Sequence, residues 1–328
     1  MRAAFGLGSC GFELREVPKP VPENGQARIR VEACGICGSD KNEHRKETVA
    51  QRISGHEVSG IVEEIAGPEA CGVSLGSRVS LSPLWHCGAC RHCQSGRTSF
   101  CLNPGGVLGY GKGGGFAEEV AVPVRTMIPI PDGLSPHQTC MTEPLAVAVR
   151  AAGLVDVGGQ NCTVFGAGTI GLLLGQVLRV RGAHRVWVVD IDTDHLAIAE
   201  ALGLTPVQAQ NEDIWAELAE DPPGVVFDAV GHVPSIAQKA LGLVARDGAC
   251  VFIGPQDPNA VKASGFERKK ISLLYSVGVH ISEMAEAVRL MADGQVDVGP
   301  LQTGTYPLDQ IESAFQAARK GIKVILEP

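Results

Sequence analysis

Hydrophobic and polar positions follow different spacings in successive parts of the chain. Up to about residue 145, short apolar stretches such as "ARIRVEAC" and "GGFAEEVAVP" are separated by Gly, Pro and Asn, a pattern typical of β-strands joined by turns. From about 148 to 280, β-branched apolar runs ("NCTVFG", "RVWVVDI", "VVFDAVG", "ACVFIG") alternate with helical patterns. This alternation predicts an α/β domain with a buried parallel sheet, doubly wound with helices on both faces. Two amphipathic helices and a closing strand, "KVILEP", follow.

The composition restricts the class of protein. A chain of 328 residues is long enough for two ordinary domains, and 45% hydrophobic with 20% charged residues is normal for a globular protein. The net charge of −8 argues against a basic nucleic-acid-binding surface, and no apolar run reaches the length of a membrane span. No stretch resembles a signal peptide, so we expect a cytoplasmic protein without nucleic-acid or membrane partners. In that reducing compartment, the eleven cysteines are better suited to metal than to disulfides.

A glycine-rich motif lies between a predicted strand and a predicted helix. In "VFGAGTIG" it comprises Gly166, Gly168, Thr169, Ile170 and Gly171. The spacing G-x-G-x-x-G permits a tight turn, close approach of a pyrophosphate and close helix packing, and the helix start offers unpaired N–H groups to the phosphates. The next strand ends at Asp190, nineteen residues after Gly171. A carboxylate there binds the ribose hydroxyls of NAD and repels the 2′-phosphate of NADP, so we predict an NAD site.

Four cysteines fall within fifteen positions of "CGACRHCQSGRTSFC", with the spacing C-x2-C-x2-C-x7-C: Cys87, Cys90, Cys93 and Cys101. Four thiolates suit tetrahedral zinc and leave no position for water or substrate. Such a site would stabilise a loop and would not itself react. An iron–sulfur cluster is the alternative because its ligand spacings overlap, and visible absorption would distinguish the two.

A second set of candidate metal ligands lies earlier in the chain, in "EACGICGSDKNEHR" and "SGHEVSG". Cys37, His56 and Glu57 would supply a thiolate, an imidazole and a carboxylate, the mixed set typical of a zinc ion with an open position. Taken alone, each residue also has a structural interpretation. Cys34 with Cys37 could form a redox C-x-x-C, and His56 with Glu57 could belong to a turn.

The motifs, taken in order, carry a resemblance to a known family. They are "CGICGSD", "GHEVSGIV", the four-cysteine segment, "GGFAEEVAVP", "EPLAVAVRA", "VFGAGTIG", "VVDID" and "PLDQIESAF", and they span nearly the whole chain. The chain resembles the zinc-dependent medium-chain dehydrogenases/reductases and looks most similar to the sorbitol and threonine dehydrogenase branch. The resemblance implies a GroES-like β-barrel catalytic domain made of residues 1–147 and 281–328, with a structural zinc lobe at 86–102. It also implies an inserted Rossmann-like NAD-binding domain at 148–280, with the active site between the two.

The resemblance also assigns roles to the candidate ligands. Cys37, His56 and Glu57 match ligands of a catalytic zinc, and Glu143 matches a catalytic position that binds this zinc directly or through its water. The four clustered cysteines match the structural zinc, so two zinc ions per chain are expected. Zinc acidifies a bound alcohol, and NAD accepts its hydride, which gives a ketone or aldehyde and NADH.

The proton path is the place where the chain departs from its relatives. Ser39 matches the hydroxyl that takes the proton of the alcohol, and Asp40 matches a residue that orients a metal ligand. The family commonly has a relay histidine three residues after Ser39, where this chain has Asn42, which cannot titrate. We hypothesise that His44 replaces it as a catalytic proton acceptor. Only thirteen residues separate Asn42 from His56, and the segment after residue 256 is also short, so larger polyhydroxylated substrates are expected.

These observations lead to one main prediction and two alternatives. The main prediction is NAD-dependent and zinc-dependent oxidation of a secondary alcohol of the polyol, sugar, cyclitol or aminocyclitol type, by a homodimer or homotetramer. The first alternative is an amino alcohol such as threonine as the substrate. The second is a nucleic-acid-binding zinc module, suggested only by Arg91, His92 and Arg97 beside the cysteines and opposed by the acidic net charge.

Overall fold

The computed structural model describes residues 1–47, 50–68, 72–231, 233–254 and 266–328. The segment after residue 256, expected to be short, lies mostly outside this described part. The chain forms two compact units: Met1–Glu143 with Val279–Asp293 and Gln302–Pro328, and Pro144–Gly278 with Gly294–Leu301. The expected boundaries were 147/148 and 280/281. The second unit also takes Gly294–Leu301, which the sequence had assigned to the first, because Gln176 exchanges hydrogen bonds with the backbone of Asp297 at 2.8 and 3.0 Å.

The strands, in chain order, are β1 (Arg2–Gly6), β2 (Phe12–Glu16), β3 (Gln26–Gly35), β4 (Arg52–Ile53), β5 (Glu57–Ala66), β6 (Arg78–Leu81), β7 (Glu119–Pro123), β8 (Met127–Pro129), β9 (Asn161–Phe165), β10 (Arg185–Asp190), β11 (Thr205–Gln208), β12 (Val225–Asp228), β13 (Ala249–Ile253), β14 (Ser272–Ser276), β15 (Gln302–Pro307) and β16 (Lys323–Glu327).

The α-helices are α1 (Gly38–His44), α2 (Arg91–Gln94), α3 (Pro136–Thr139), α4 (Thr142–Ala152), α5 (Thr169–Val180), α6 (Thr193–Ala201), α7 (Glu212–Glu220), α8 (Pro234–Leu243), α9 (Ile281–Ala292) and α10 (Ile311–Ala317). None of the described helices has both the length and the apolar character needed to cross a bilayer.

The first unit is built on sheets whose strands pair antiparallel except for β15 with β16, which are parallel. Its larger sheet has the order β15-β16-β3-β5-β6-β8, with β7 also paired to β3, and a smaller sheet has the order β2-β1-β4. In β3, Ala27, Ile29 and Val31 are buried while Arg28 and Arg30 between them are more exposed. This period of two directs one face of the strand into the apolar core.

The second unit contains a six-stranded sheet in the order β11-β10-β9-β12-β13-β14. Every neighbouring pair in this sheet is parallel. Numbered within the unit, the order is 3-2-1-4-5-6, the order of the dinucleotide-binding Rossmann fold. The predicted parallel sheet is therefore confirmed, and its central strands β9, β12 and β13 are almost entirely buried, as their continuous apolar runs required.

Candidate active site

The end of strand β3 and the start of helix α1 position the first candidate ligand. Cys37 immediately precedes α1 and has an extended backbone. The carboxylate of Asp40, in the first turn of that helix, accepts a hydrogen bond of 3.0 Å from the Cys37 backbone N–H. This contact fixes the turn that presents the thiol, and it accounts for a buried aspartate so close to a cysteine.

The start of strand β5 and the residue before it bring two further donors to this thiol. The ligand atoms of Cys37, His56 and Glu57 all lie within 4.8 Å of one another. His56 Nδ1 is buried without a hydrogen-bond partner among the described residues, and Asp40 Oδ1 lies 3.9 Å from it. A thiolate, an imidazole and a carboxylate are the donors that zinc accepts in sites with an open position. The residues therefore fit a zinc ion, and the structure brings together three residues that the sequence proposed as ligands.

Glu143 lies in the first turn of α4, close enough to interact electrostatically with His56 and Glu57. It is not part of the group of three whose ligand atoms lie within 4.8 Å among the described residues. Burial raises the pKa of Glu143 to about 7. Burial alone would lower the pKa of His56, but the neighbouring Cys37 and Asp40 outweigh it and raise that pKa well above its ordinary value.

A buried lysine completes this cluster. Lys323 Nζ lies 2.7 Å and 2.5 Å from the two carboxylate oxygens of Glu57 and donates to the Ile36 carbonyl at 3.2 Å. Strand register explains the meeting, because Gly35 at the end of β3 is paired with Glu57 on one side and Ile325 on the other. A Cβ atom at Gly35 would stand 2.0 Å from Glu57 Oε2, so only glycine leaves room for this carboxylate.

The side chains of Ser39 and Tyr110 meet beside the metal-ligand candidates. Ser39 Oγ is buried and lies near the Tyr110 hydroxyl but outside hydrogen-bonding geometry. Burial raises the pKa of Tyr110, and the Ser39 hydroxyl opposes this rise. The ring of Tyr110 is tilted against that of His56 with centroids 5.8 Å apart. Ser39 is thus available to a ligand hydroxyl, as the sequence proposed, and Tyr110 is an additional polar neighbour.

His44 occupies an aromatic environment. Its ring stacks on Phe12 with centroids 5.0 Å apart and an interplanar angle of 13°, and it is tilted against Phe315 at 5.1 Å. Burial lowers the pKa of His44, and its Nδ1 has no hydrogen-bond partner among the described residues. These contacts favour a packing role over the hypothesised proton relay.

The four clustered cysteines also meet in the structure. The ligand atoms of Cys87, Cys90, Cys93 and Cys101 lie within 4.8 Å of one another. Backbone N–H groups point at the sulfurs: that of Cys87 donates to Cys101 Sγ at 3.2 Å, and that of Cys90 donates to Cys87 Sγ at 3.3 Å. The Leu102 N–H donates to Cys90 Sγ, and together with a second backbone donor this lowers the pKa of Cys90 to about 6. A sulfur that is readily ionised and surrounded by N–H donors fits a metal-bound thiolate.

The remaining cysteine interpretation is not supported by the geometry. Cys34 is fully buried in the apolar core of the first unit. Burial raises the pKa of the Cys34 thiol well above its ordinary value. A thiol that resists ionisation and has no access to solvent is unsuited to a redox C-x-x-C.

The glycine motif forms the turn between strand β9 and helix α5. Gly166 has a φ of 98°, in the region that favours glycine. A Cβ atom at Gly171 would lie 1.7 Å from the Gly166 carbonyl oxygen, so this position also requires glycine. At Gly168 a Cβ atom would meet nothing within 4 Å, which leaves the space over the helix start open. Thr169 and Ile170 form the first turn of α5 behind this loop.

Asp190 closes strand β10 beside this turn. Its Oδ2 accepts a 2.6 Å hydrogen bond from the Ala167 N–H, inside the glycine motif. Its Oδ1 accepts from the N–H groups of Ile191 and Asp192 at 2.7 and 2.9 Å. The carboxylate is thus held next to the turn where a dinucleotide would bind in this fold.

Comparison with known proteins gives this arrangement a family. The family model of the alcohol dehydrogenase GroES-like domain matches residues 23–132, and that of the zinc-binding dehydrogenases matches residues 169–293. The chain is 30% identical over 331 residues to the L-threonine 3-dehydrogenase of Shewanella woodyi, covering 96% of each protein. The chain belongs to the zinc-dependent medium-chain dehydrogenase/reductase family.

Solved structures of this dehydrogenase family have the same fold. An alcohol dehydrogenase of Escherichia coli CFT073, solved with NADH, has a TM-score of 0.91 at 27% identity and covers 100% of this chain and 99% of its own. The 2R,3R-butanediol dehydrogenase of Bacillus subtilis has a TM-score of 0.85 at 28% identity, with the same coverage. The predicted combination of a GroES-like domain with a Rossmann-like domain is confirmed, and the chain is an oxidoreductase of the alcohol dehydrogenase type.

Sequence reasoning missed two members of this dehydrogenase site. Lys323 lies at the start of an apolar stretch in "GIKVILEP", and its side chain is buried. A buried lysine requires a charged partner, so a lysine beside this apolar stretch was the available signal. Tyr110, in a glycine-rich loop, carried no comparable signal, because its meeting with Ser39 and His56 depends on how that loop folds back on β5.

Proposed function

We propose that this protein catalyses NAD-dependent oxidation of a secondary alcohol to a ketone, with a polyol, sugar or cyclitol as the substrate. The convergence of Cys37, His56 and Glu57 carries this proposal, since the three donors leave room for a substrate oxygen. The relative named for threonine and that named for butanediol both have secondary alcohols as their named substrates.

In the proposed mechanism Cys37, His56 and Glu57 would hold the catalytic zinc, and Glu143 lies close to two of these residues, His56 and Glu57. Zinc at this position would supply the positive charge that acidifies the alcohol. Lys323 offsets the charge of Glu57 and keeps its carboxylate in place. Asp40 orients Cys37 through the backbone and lies beside the imidazole of His56.

The same proposal assigns the proton and the hydride to different residues. Ser39 Oγ has no hydrogen-bond partner among the described residues, and the phenol of Tyr110 lies next to it. Ser39 would accept the hydroxyl proton of the alcohol while its own proton passes to solvent. The turn at Gly166–Gly171 would bind the pyrophosphate of NAD, and Asp190 would bind its adenosine ribose. NAD held there would supply the hydride acceptor, so the products would be a ketone and NADH.

We further propose that Cys87, Cys90, Cys93 and Cys101 hold a structural zinc and that the protein is a homo-oligomer. The two metal sites differ in donors, since one has four thiolates and the other a mixed set. Only the mixed site would keep an open coordination position. We also propose the cytoplasm as the location and no nucleic-acid partner, on the basis of the free thiols and the net charge of −8.

Metal analysis together with a substrate screen tests the proposal. We expect two zinc ions per active chain, NADH formation with secondary alcohols, and loss of one zinc and of activity in Cys37→Ser. The matched control is Cys10→Ser, which alters an exposed thiol outside both clusters and should keep both ions and full activity. One zinc per chain in active protein, a visible iron–sulfur absorption, or a Cys37→Ser variant that retains activity would contradict it.

An amino alcohol is the second candidate substrate, because the relative from Shewanella is named for L-threonine. Parallel assays with L-threonine and with neutral polyols separate the two. A kcat/KM for threonine that exceeds those of all polyols would favour the amino alcohol.

A further inference from the structure

A cation lies beside the proposed catalytic centre. The guanidinium of Arg52 lies over the ring of Tyr110, with Cζ 5.0 Å from the ring centroid. The same ring is tilted against the ring of His56. Tyr110 is 38% exposed, so solvent and small molecules reach this ring. One aromatic side chain therefore contacts both a proposed zinc ligand and a positive charge, in the distance range of a cation–π interaction.

The guanidinium of Arg52 is only partly used by the protein. Its Nη2 donates to Glu43 Oε2 at 2.9 Å, while Nε and Nη1 have no hydrogen-bond partner among the described residues. Lys46 pairs with the same glutamate. Two cations thus share one carboxylate, which leaves an excess of one positive charge. The Arg52 side chain is 25% exposed, so part of it is accessible from solvent.

We propose that Arg52 binds a carboxylate of the substrate, so that the substrate is a hydroxy acid of the polyhydroxylated, aldonate-like class. The inference rests on the proposed oxidation of a secondary alcohol at the adjacent zinc site. Arginine presents paired N–H donors that match the two oxygens of a carboxylate. An excess of one charge suits a monoanion better than a phosphate ester, which carries nearly two negative charges near pH 7.

A structural role for Arg52 would also explain its contact with Glu43, because this pair joins β4 to α1. That role makes a different prediction: loss of Arg52 would lower stability or affect acidic and neutral substrates equally. Recognition of a carboxylate changes KM for the acidic substrate alone. The two roles are therefore separable by comparing substrates that differ only in the terminal group.

The test uses matched aldonate and alditol pairs (gluconate with sorbitol, galactonate with galactitol, mannonate with mannitol) and the zinc-loaded full chain with NAD. We expect at least one aldonate to exceed its alditol tenfold or more in kcat/KM. Arg52→Gln should raise KM for that aldonate about 10- to 100-fold, the loss of a charge-assisted hydrogen bond, and change KM for the alditol less than twofold. Arg52→Lys should recover part of the loss. Lys46→Gln, which removes the excess charge but leaves the Arg52 donors in place, should raise KM for the aldonate by less than Arg52→Gln does.

Calorimetric titration of aldonates into the zinc-loaded protein with NADH gives a readout independent of turnover. Arg52-dependent aldonate binding supports the inference even if no alcohol reduces NAD, an outcome that would reject the proposed oxidation alone. Alditols oxidised as well as their aldonates, an aldonate preference that survives in Arg52→Gln, or absence of aldonate binding would overturn the inference. Urea unfolding of each variant shows whether a loss of binding merely reflects a loss of folding.

Discussion

Lys323 and Glu57 form a buried ion pair in which one ammonium contacts both oxygens of one carboxylate, at 2.7 and 2.5 Å. Both side chains are at most 2% exposed. Burial disfavours the charged lysine, but Glu57 and Cys37 outweigh this effect and raise the pKa of Lys323. Lys323 therefore keeps its charge at neutral pH, because the neighbouring Glu57 offsets the effect of burial.

Removing the lysine should destabilise the protein. We expect Lys323→Met to lower the free energy of unfolding of the zinc-free protein by about 3–5 kcal/mol, because the buried Glu57 carboxylate loses its ion-pair partner. The double variant Lys323→Met with Glu57→Gln should recover part of this loss. Urea denaturation at pH 7 measures both, and Lys46→Met, which alters a lysine whose side chain is 58% exposed, is the control. Equal stability of Lys323→Met and the parent would contradict the buried pair.

The zinc-free protein should lose stability as the pH rises through neutrality. Burial raises the pKa of Glu143 from 4.5 to about 7. The pKa of Glu143 in the folded protein lies above its pKa in the unfolded chain. Its contribution to the free energy of unfolding is therefore complete below about pH 4.5 and is lost as the pH rises through about 7. We expect this loss to be on the order of 2 kcal/mol and to disappear in Glu143→Gln. Urea denaturation in the presence of a chelator between pH 5 and 8 measures this loss, and Glu16→Gln, at an exposed residue, is the control. If the free energy of unfolding depends on pH equally in Glu143→Gln and in the parent, Glu143 is not the group responsible.

Asp190 should determine the choice of nucleotide. We expect strong preference for NAD, since a 2′-phosphate would meet the carboxylates of Asp190 and Asp192. Asp190→Ala removes both the ribose acceptor and the bond to the Ala167 N–H, so KM for NAD should rise about tenfold or more while that for NADP changes little. Steady-state kinetics with both nucleotides measure this, and Asp194→Ala on the exposed start of α6 is the control. Equal efficiency of the parent with NAD and NADP would contradict it.

His44 should act through packing. We expect His44→Gln to lower the free energy of unfolding by about 1 kcal/mol through loss of its contacts with Phe12 and Phe315, and His44→Phe to retain most of the stability. The alcohol-oxidation rates of both variants should follow the parent from pH 6 to 10. A rate that falls at low pH in His44→Gln and recovers at high pH would instead establish His44 as the proton relay.

The sequence predicts those parts of the site that depend on short segments. The turn at Gly166–Gly171 and the position of Asp190 at the end of β10 can be predicted locally. Each depends only on one strand and on the segment that directly follows it. The grouping of Cys37 with His56 and Glu57 needed the family resemblance, since the residues lie on different elements. Lys323 escaped prediction because its approach to Glu57 depends on the pairing of β16 with β3, which no local pattern specifies.

The ion pair between Glu57 and Lys323 also has a consequence for biosynthesis. Its two members are 266 positions apart, and the whole second unit lies between them in the chain. At about 5–20 residues per second, a ribosome adds the lysine roughly 13–50 s after the glutamate. During that interval the nascent first unit carries the Glu57 carboxylate without its Lys323 partner, and β3 lacks its neighbour β16. The centre therefore reaches its final form only after translation has passed the second unit, however early its metal-binding residues emerge.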